Sequence, residues 1–414
     1  MMSMDSGDDL DVGLGYEDVT HGSISLKKDF LPWHKPRKQY IRNNQWNALT
    51  ASLIDHLNLK DKGRSLQYLS LPGSDLLDVR SLYSVCAAKE VRLKFIGLNE
   101  ITAEDKASMM DQLISINELR GLQYIDPSSD VYEDQLERLC VNKSIAQEQI
   151  IKPSTSYDVI NIDLCRSMLE SPPMEKQSNY YDALFKLLRH QADNRTEDWL
   201  FFVTTRTNQD MVNEGAFKKF VEVLEQIFNF DQVVYDKCNE LKIFSADVLV
   251  NRRIDVEKID PTSYNNLVSA GIGKWVLSAL ADRPPAHKSK MLQLFGYNVF
   301  QEADGPCDMM SFGFWCKHIP NKAVDTFGLA GGGVNLNAED VGKAISRARV
   351  NVIESVSKVV DVDVHMSNDE VFEEMLKASS GLMKSARYDV DSYVDWARKD
   401  HGKVKSWLAS RGLV

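Results

Sequence analysis

The feature that most constrains this chain is a run of short apolar segments separated by helical stretches between positions 66 and 228. Segments 66–71 (LQYLSL), 91–98 (VRLKFIGL), 157–164 (YDVINIDL) and 199–205 (WLFFVTT) are too short for buried helices and suit strands. Helical spacing predicts helices over 74–88, 104–119, 180–191 and 215–228, with Ser74 or Asp75 as the first cap. A short third strand is expected over 122–125, ending in Asp126-Pro127, with a helix over 132–141. Strands joined through helices make right-handed crossovers, so the strands lie parallel in one sheet covered on both faces.

Upstream, Ile41, Trp46, Leu49, Leu53, Ile54 and Leu57 recur at helical spacing, which predicts a leading helix from Lys38 to about Asn58. Downstream, 232–235 and 246–250 read as extended, and 261–283 as a helical insertion. Segments 291–299 and 309–317 are expected to pair antiparallel across a turn at Asp304-Gly305-Pro306. The remainder predicts helices over 338–359, 368–386 and 389–412, with Val371, Phe372, Met375, Leu382 and Met383 as a packing stripe for the core or a partner. The expectation is an α/β fold: a doubly wound, mostly parallel Rossmann-like sheet with a terminal antiparallel hairpin, plus a helical C-terminal region. The divisions are 1–26, a flexible acidic N-terminus; 27–319, the α/β domain; 320–336, a Gly-rich linker; and 337–414, the helical region.

Charge adds a constraint. The net charge is −11 and the pI near 5.3, which argues against non-specific binding along a phosphate backbone. The sign reverses locally. Residues 1–25 carry six acids and no Lys or Arg, whereas Lys27, Lys28, Lys35, Arg37, Lys38 and Arg42 face only Asp29. With Trp33, Tyr40 and Trp46 interleaved, Lys35, Arg37, Lys38 and Arg42 are candidates for gripping phosphate or nucleic acid. The six cysteines form no CxxC pair or Cys/His cluster, so no metal site and no disulfide framework is expected. Cys165 and Cys316 lie in apolar stretches and read as buried thiols. No signal peptide and no membrane-length apolar run is present, so a cytoplasmic protein is expected.

The leading helix, the strand–helix units and the closing hairpin from Tyr40 to Lys317 resemble the class I S-adenosylmethionine (SAM)-dependent methyltransferases. The resemblance covers about two-thirds of the chain and rests on architecture and strand endings. It implies SAM as cofactor, held at the carboxyl ends of the first four strands. There it implies Pro72, Gly73 and Ser74 beside the methionine part, and Asn99 or Glu100 on the ribose. Asp126 falls near the adenine, and Asp163 by the methionine ammonium or the methyl-transfer site. The first loop, LPGSD, departs from the family's acidic-x-Gly-x-Gly pattern because Gly73 is its only glycine.

Two functions stay open on these residues. One is a SAM-dependent methyltransferase or SAM-binding relative, with unknown acceptor and unknown catalytic residues. The other is a catalytically inactive scaffold that binds protein or nucleic acid through the basic 27–42 stretch or the C-terminal helices. The missing GxGxxG after the first strand argues against a nucleotide-dependent oxidoreductase. Ser171-Pro172-Pro173-Met174 lies beyond the fourth strand and reads as a loop, and Pro306-Cys307 as structural.

Overall fold

The computed structural model describes residues 26–101, 105–171, 179–282, 284–299, 306–320 and 338–414. The acidic lead-in 1–25, the turn at Asp304-Gly305, Pro172-Pro173-Met174 and most of the Gly-rich stretch lie outside these residues.

The chain enters through α1 (Pro36–Ile41), a π-helical stretch over Arg42–Asn47, and α2 (Ala48–Leu57). Pro36 supplies the fixed φ of a first helical turn, and Asn58 closes α2 in the left-handed conformation. The alternating core follows as β1 (Leu66–Ser70), α3 (Leu77–Ala88), β2 (Leu93–Asn99), α4 (Lys106–Arg120), β3 (Asp130–Glu133), β4 (Val159–Asp163), α5 (Tyr180–Asn194), β5 (Trp199–Arg206) and α6 (Glu214–Phe230). Next come α7 (Gln232–Glu240), a small hairpin of β6 (Leu249–Val250) and β7 (Arg253–Ile254), and α8 (Pro261–Ala281). The closing strands are β8 (Ala286–Met291), β9 (Phe295–Tyr297) and β10 (Met309–Ile319). The C-terminal part contains α9 (Ala338–Val356), β11 (Val360–Asp361), α10 (Val362–Met366), α11 (Asp369–Ser385) and α12 (Val390–Ser410).

Among the described residues the main sheet has nine strands in the order β11-β9-β10-β5-β4-β1-β2-β3, with β8 also paired to β10. From β3 to β5 every pairing is parallel, and β10 slots in antiparallel between β5 on one side and β8 and β9 on the other. This is the doubly wound, mostly parallel sheet with a closing antiparallel hairpin that the class I methyltransferase resemblance implies.

Alternation along the strands sorts their side chains between two cores. Ile160, Ile162, Phe201 and Val203 face the layer built on α5, α6 and α8. Tyr68, Phe95, Val159 and Phe202 face the layer built on α2, α3 and α11. Each fully buried Phe of β5 contributes roughly 2 kcal/mol of transfer free energy. Phe372, Met375, Leu382 and Met383 join the second core, so the stripe read from the sequence packs inward. β11 extends the sheet in parallel with β9.

Several elements differ from expectation. Ile125 makes only a single bridge to Leu93, and the third strand is Asp130–Glu133. Asp126 opens a turn after that bridge, and the chain re-enters the sheet beyond it. The expected helix over 132–141 is thereby a strand end and a short 3-10 turn. Segment 232–235 is helical, because the Asp231 side chain caps it by accepting from Val234 N at 3.4 Å. Its valine pair mimicked a strand. Segment 246–250 contributes only the two residues of β6, outside the main sheet. Segment 291–299 is split, with Leu292 N still donating to Gly313 O at 2.8 Å between β8 and β9. Cys316 is buried, but Cys165, just past the tip of β4, is exposed.

Candidate functional site

In an open parallel sheet, ligands bind outside the carboxyl ends of the strands where strand order reverses. Here the reversal lies between β1 and β4, each flanking the other. The loop after β1, the tips of β2 and β4, and the leading helical segment meet at this edge.

The polar strip begins on the strands. Ser70, Asn161 and Asp163 extend along one face, with Asn161 two residues before Asp163 on β4. Asn161 Nδ2 donates to Tyr68 Oη at 2.9 Å, and Tyr68 Oη donates to Asp78 Oδ2 at 2.8 Å. Burial pushes the Asp78 carboxyl up, against the hydrogen bond from Tyr68 and the charge of Arg42. The leading segment lies over this strip with Lys38 and Arg42 pointing in. Lys38 Nζ donates to Asp163 Oδ1 at 2.6 Å and to Tyr297 Oη at 3.3 Å, and stands 4.9 Å from the Trp46 ring centroid. Burial disfavours the charge on Lys38, but the carboxylate of Asp163 outweighs it and holds its pKa above the ordinary value. Arg42 donates to the Trp33 carbonyl at 3.2 Å, and Gln45 exchanges hydrogen bonds with Ser311.

A buried polar atom without a partner costs about 1–3 kcal/mol, so folds rarely keep one without reason. This edge keeps several together. Asn161 Oδ1, Ser70 Oγ, Asp78 Oδ1, Arg42 Nε and Trp46 Nε1 are all buried without a hydrogen bond of good geometry. Asn161, Ser70, Arg42 and Trp46 are each less than 5% exposed. The group holds three atoms able to accept and two donors, on the strands and the leading segment that also carry Asp163, whose side chain keeps 25% exposure.

The first loop is braced from both ends of the chain. Gly73 has φ +62°, a left-handed conformation suited to glycine, and a Cβ there meets no atom within 4 Å. Gly97 does the opposite work, since a Cβ on it would meet Pro72 Cγ at 2.8 Å. Asp75 accepts from Tyr388 Oη at 2.8 Å and is bonded by Lys27, with His34 Nε2 3.6 Å away. Although burial disfavours its charge, hydrogen bonds from His34 and Lys27 hold the Asp75 carboxyl well below the usual range.

The structure brings most of the sequence candidates to this edge. Pro72, Gly73 and Ser74 form the loop after β1, and Asn99 and Glu100 stand at the end of β2. Asn99 donates to Gln112 at 2.6 Å, and exposed Glu100 is bonded by Gln135. Asp163 tips β4. Asp126 is the exception. Its N–H bonds Leu93 O, at the first residue of β2, and its carboxylate accepts from Ser128 N and Oγ at 2.9 and 2.7 Å. It therefore caps a turn at the opposite, amino edge, because the third strand starts later than its apolar residues suggest.

The basic stretch also needs correction as a phosphate or nucleic-acid surface. Lys35, Arg37, Lys38 and Arg42 are each 9% exposed or less. Arg37 pairs with Asp363 at 3.0 Å and Asp400 at 3.2 Å, and Lys35 with Asp400 at 2.8 Å. Their acidic complement lies more than 300 residues downstream, so local sequence showed only excess charge. From sequence Trp46 is named as an aromatic among the cations, and Asp78, Asn161 and Tyr297 are not singled out as site residues. Two carried a signal: Asn161 is an amide inside an apolar strand, and Asp78 an acid between Leu77 and Val79.

On the outer side of α2 and α3, a cleft of about 870 Å³ runs towards α11, walled by Gln39, Asn43, Asn47, Ser81 and Leu382. Among the described residues no helix is long and apolar enough to cross a membrane.

A family model described as PP_RS20740-like matches residues 27–398. No curated protein sequence matches the chain. Among solved structures, an rRNA methylase from Streptococcus thermophilus aligns at 7% identity over 62% of this chain and 89% of its own, with a TM-score of 0.29. Phosphoethanolamine N-methyltransferase 2 from Haemonchus contortus, solved with SAM, aligns at 14% identity over 62% of this chain and 49% of its own, with a TM-score of 0.23. The fold follows from the strand order of the chain itself.

Proposed function

The chain belongs to the PP_RS20740-like family, and we propose that it binds SAM at the carboxyl edge of its sheet, as a methyltransferase or a SAM-binding relative of one. The observation that carries this reading is the group of orphaned atoms around Asp163. The amino-acid end of SAM presents one ammonium and one carboxylate. Asn161 Oδ1, Asp78 Oδ1 and Ser70 Oγ, with Asp163, suit the ammonium, and Arg42 Nε and Trp46 Nε1 suit the carboxylate. Asn99 and Glu100 are the ribose candidates, and the open space at Gly73 lets a ligand pass close to backbone.

SAM supplies an electrophilic methyl group when bound. The contribution of these residues is to fix the amino-acid head and so orient the ligand. On this reading 27–319 holds the cofactor, and the helical region 337–414 closes over the leading segment through Asp363 and Asp400. A second reading, an inactive methyltransferase-like scaffold, is favoured by one specific contact: Lys38 already neutralises Asp163.

Calorimetry with SAM and S-adenosylhomocysteine tests the proposal. Binding is expected, and Asn161→Leu and Glu100→Ala should each weaken it about tenfold, the equivalent of one hydrogen bond lost to a buried polar group. The absence of binding heat and of any thermal shift at millimolar ligand would sink SAM binding and leave the scaffold.

A further inference from the structure

The surroundings of Lys38 Nζ have the chemistry of a receptor for an ammonium group. A carboxylate oxygen lies 2.6 Å away and a phenol oxygen 3.3 Å away, while the Trp46 and Tyr297 ring centroids lie at 4.9 and 5.6 Å. Carboxylate and aromatic faces together attract a desolvated cation more strongly than either alone. The rest of the edge does not look like a finished structural ion pair, in which every remaining valence is met. Asn161 Oδ1, one step back along the same face of β4, and Arg42 Nε on the leading segment remain unpartnered. Asp163 keeps 25% side-chain exposure although Lys38 keeps only 3%, so the acid is reachable from solvent on the side that Lys38 does not cover.

We infer that Asp163, Trp46 and Tyr297 form a cage for the ammonium group of a ligand, and that Lys38 occupies this cage in cis as a built-in competitor. Lysine suits that role because its charge sits on a flexible four-carbon stem that can withdraw, unlike the planar fork of Arg42. The ligand class is a compound with an aliphatic ammonium. Under the function proposed above, on which this identification rests, the ammonium is that of the amino-acid end of SAM. The consequence runs against the usual expectation for a residue in a binding site: removing Lys38 strengthens binding.

Two measurements on the full chain test this. In the first, Lys38→Gln, which keeps a neutral donor towards Asp163, is titrated with S-adenosylhomocysteine and with methylthioadenosine, which lacks the amino-acid end. The variant should bind S-adenosylhomocysteine about tenfold tighter than the unmodified protein and bind methylthioadenosine unchanged. Unchanged or weaker S-adenosylhomocysteine binding, or an equal gain for both ligands, overturns the competitor role. In the second, the melting temperature of Lys38→Ala is measured in ethylammonium chloride and in sodium chloride at equal ionic strength. Recovery of the lost stability by ethylammonium alone is expected, and no recovery overturns the cage. If ethylammonium rescues while no adenosine ligand binds either protein, the cage stands and the SAM reading fails.

Discussion

At the amino edge of the sheet, Asp158 is fully buried, yet its carboxylate is saturated. It accepts from Arg64 Nη1 and Nη2 at 3.1 and 3.0 Å, from Arg195 Nη2 at 2.6 Å and from Gln67 N at 2.7 Å. At the carboxyl edge, Asp78 uses Oδ2 for Tyr68 and leaves Oδ1 unpartnered, among further orphaned atoms on Asn161, Arg42 and Trp46. The two edges lie a strand's length apart, and their polar groups are buried to similar degrees. A buried network that serves stability alone satisfies its members, because each orphan subtracts from a small net free energy. The contrast between the two carboxylates marks Asp158 as structural and leaves Asp78 with an oxygen free to meet something else.

The same substitution made at both edges should have opposite consequences. Asp158→Asn leaves two arginines facing a neutral amide in a buried setting and should cost about 3–5 kcal/mol by urea denaturation. A cost near zero would mean that the amino network is no stronger than an exposed pair.

Acid should attack the amino edge next. His287 is buried there, with Nε2 3.1 Å from the Arg195 carbonyl, and burial together with neighbouring His318 pushes its pKa down to about 4. Its folded pKa lies below the ordinary value near 6.5, so its stabilising contribution is complete above that value. It is lost as pH falls through about 4. The loss amounts to roughly 3 kcal/mol at most, and His287→Gln should flatten the decline in stability between neutral and acid pH. An unchanged slope in the variant would assign the acid sensitivity to other groups.

The smallest effect on stability belongs to the carboxyl edge. Asp78→Asn keeps an oxygen to accept from Tyr68 and removes a carboxyl that burial already disfavours. It should cost less than about 1 kcal/mol, while S-adenosylhomocysteine affinity falls about tenfold. A stability loss as large as that of Asp158→Asn would erase the distinction between the edges.

Much of this fold could be read from short windows. Segment 157–164 announces β4 by the alternation of Val159, Ile160 and Ile162 with polar residues, and the helical spacing of Phe220, Leu224 and Ile227 announces α6. Short-range signals failed where a longer-range partner or a cap decided the outcome. The valines of 232–235 look extended until Asp231 caps them into a helix. The apolar residues before Asp126 look like the third strand, but they make a single bridge to β2, at Leu93. The strand ends that the proposed site uses, at Gly73, Asn99, Glu100 and Asp163, were legible because strand ends are set by periodicity and turn chemistry. It was illegible in its charges. The cations of 35–42 read as an exposed patch because their partners Asp163, Asp363 and Asp400 are supplied by β4, by the start of α10 and by α12.

Sequence by itself therefore determined the layered α/β plan and which strand tips meet at the point where strand order reverses. Hydrophobic period and turn residues act over a few positions and need no knowledge of the rest of the chain. Only the tertiary structure decided what those tips touch, that Lys38 neutralises Asp163, and that a basic segment in an acidic protein lies inside rather than on the surface. Pairing and burial of charge depend on distance and solvent access, and both arise only when segments far apart in the chain are brought together.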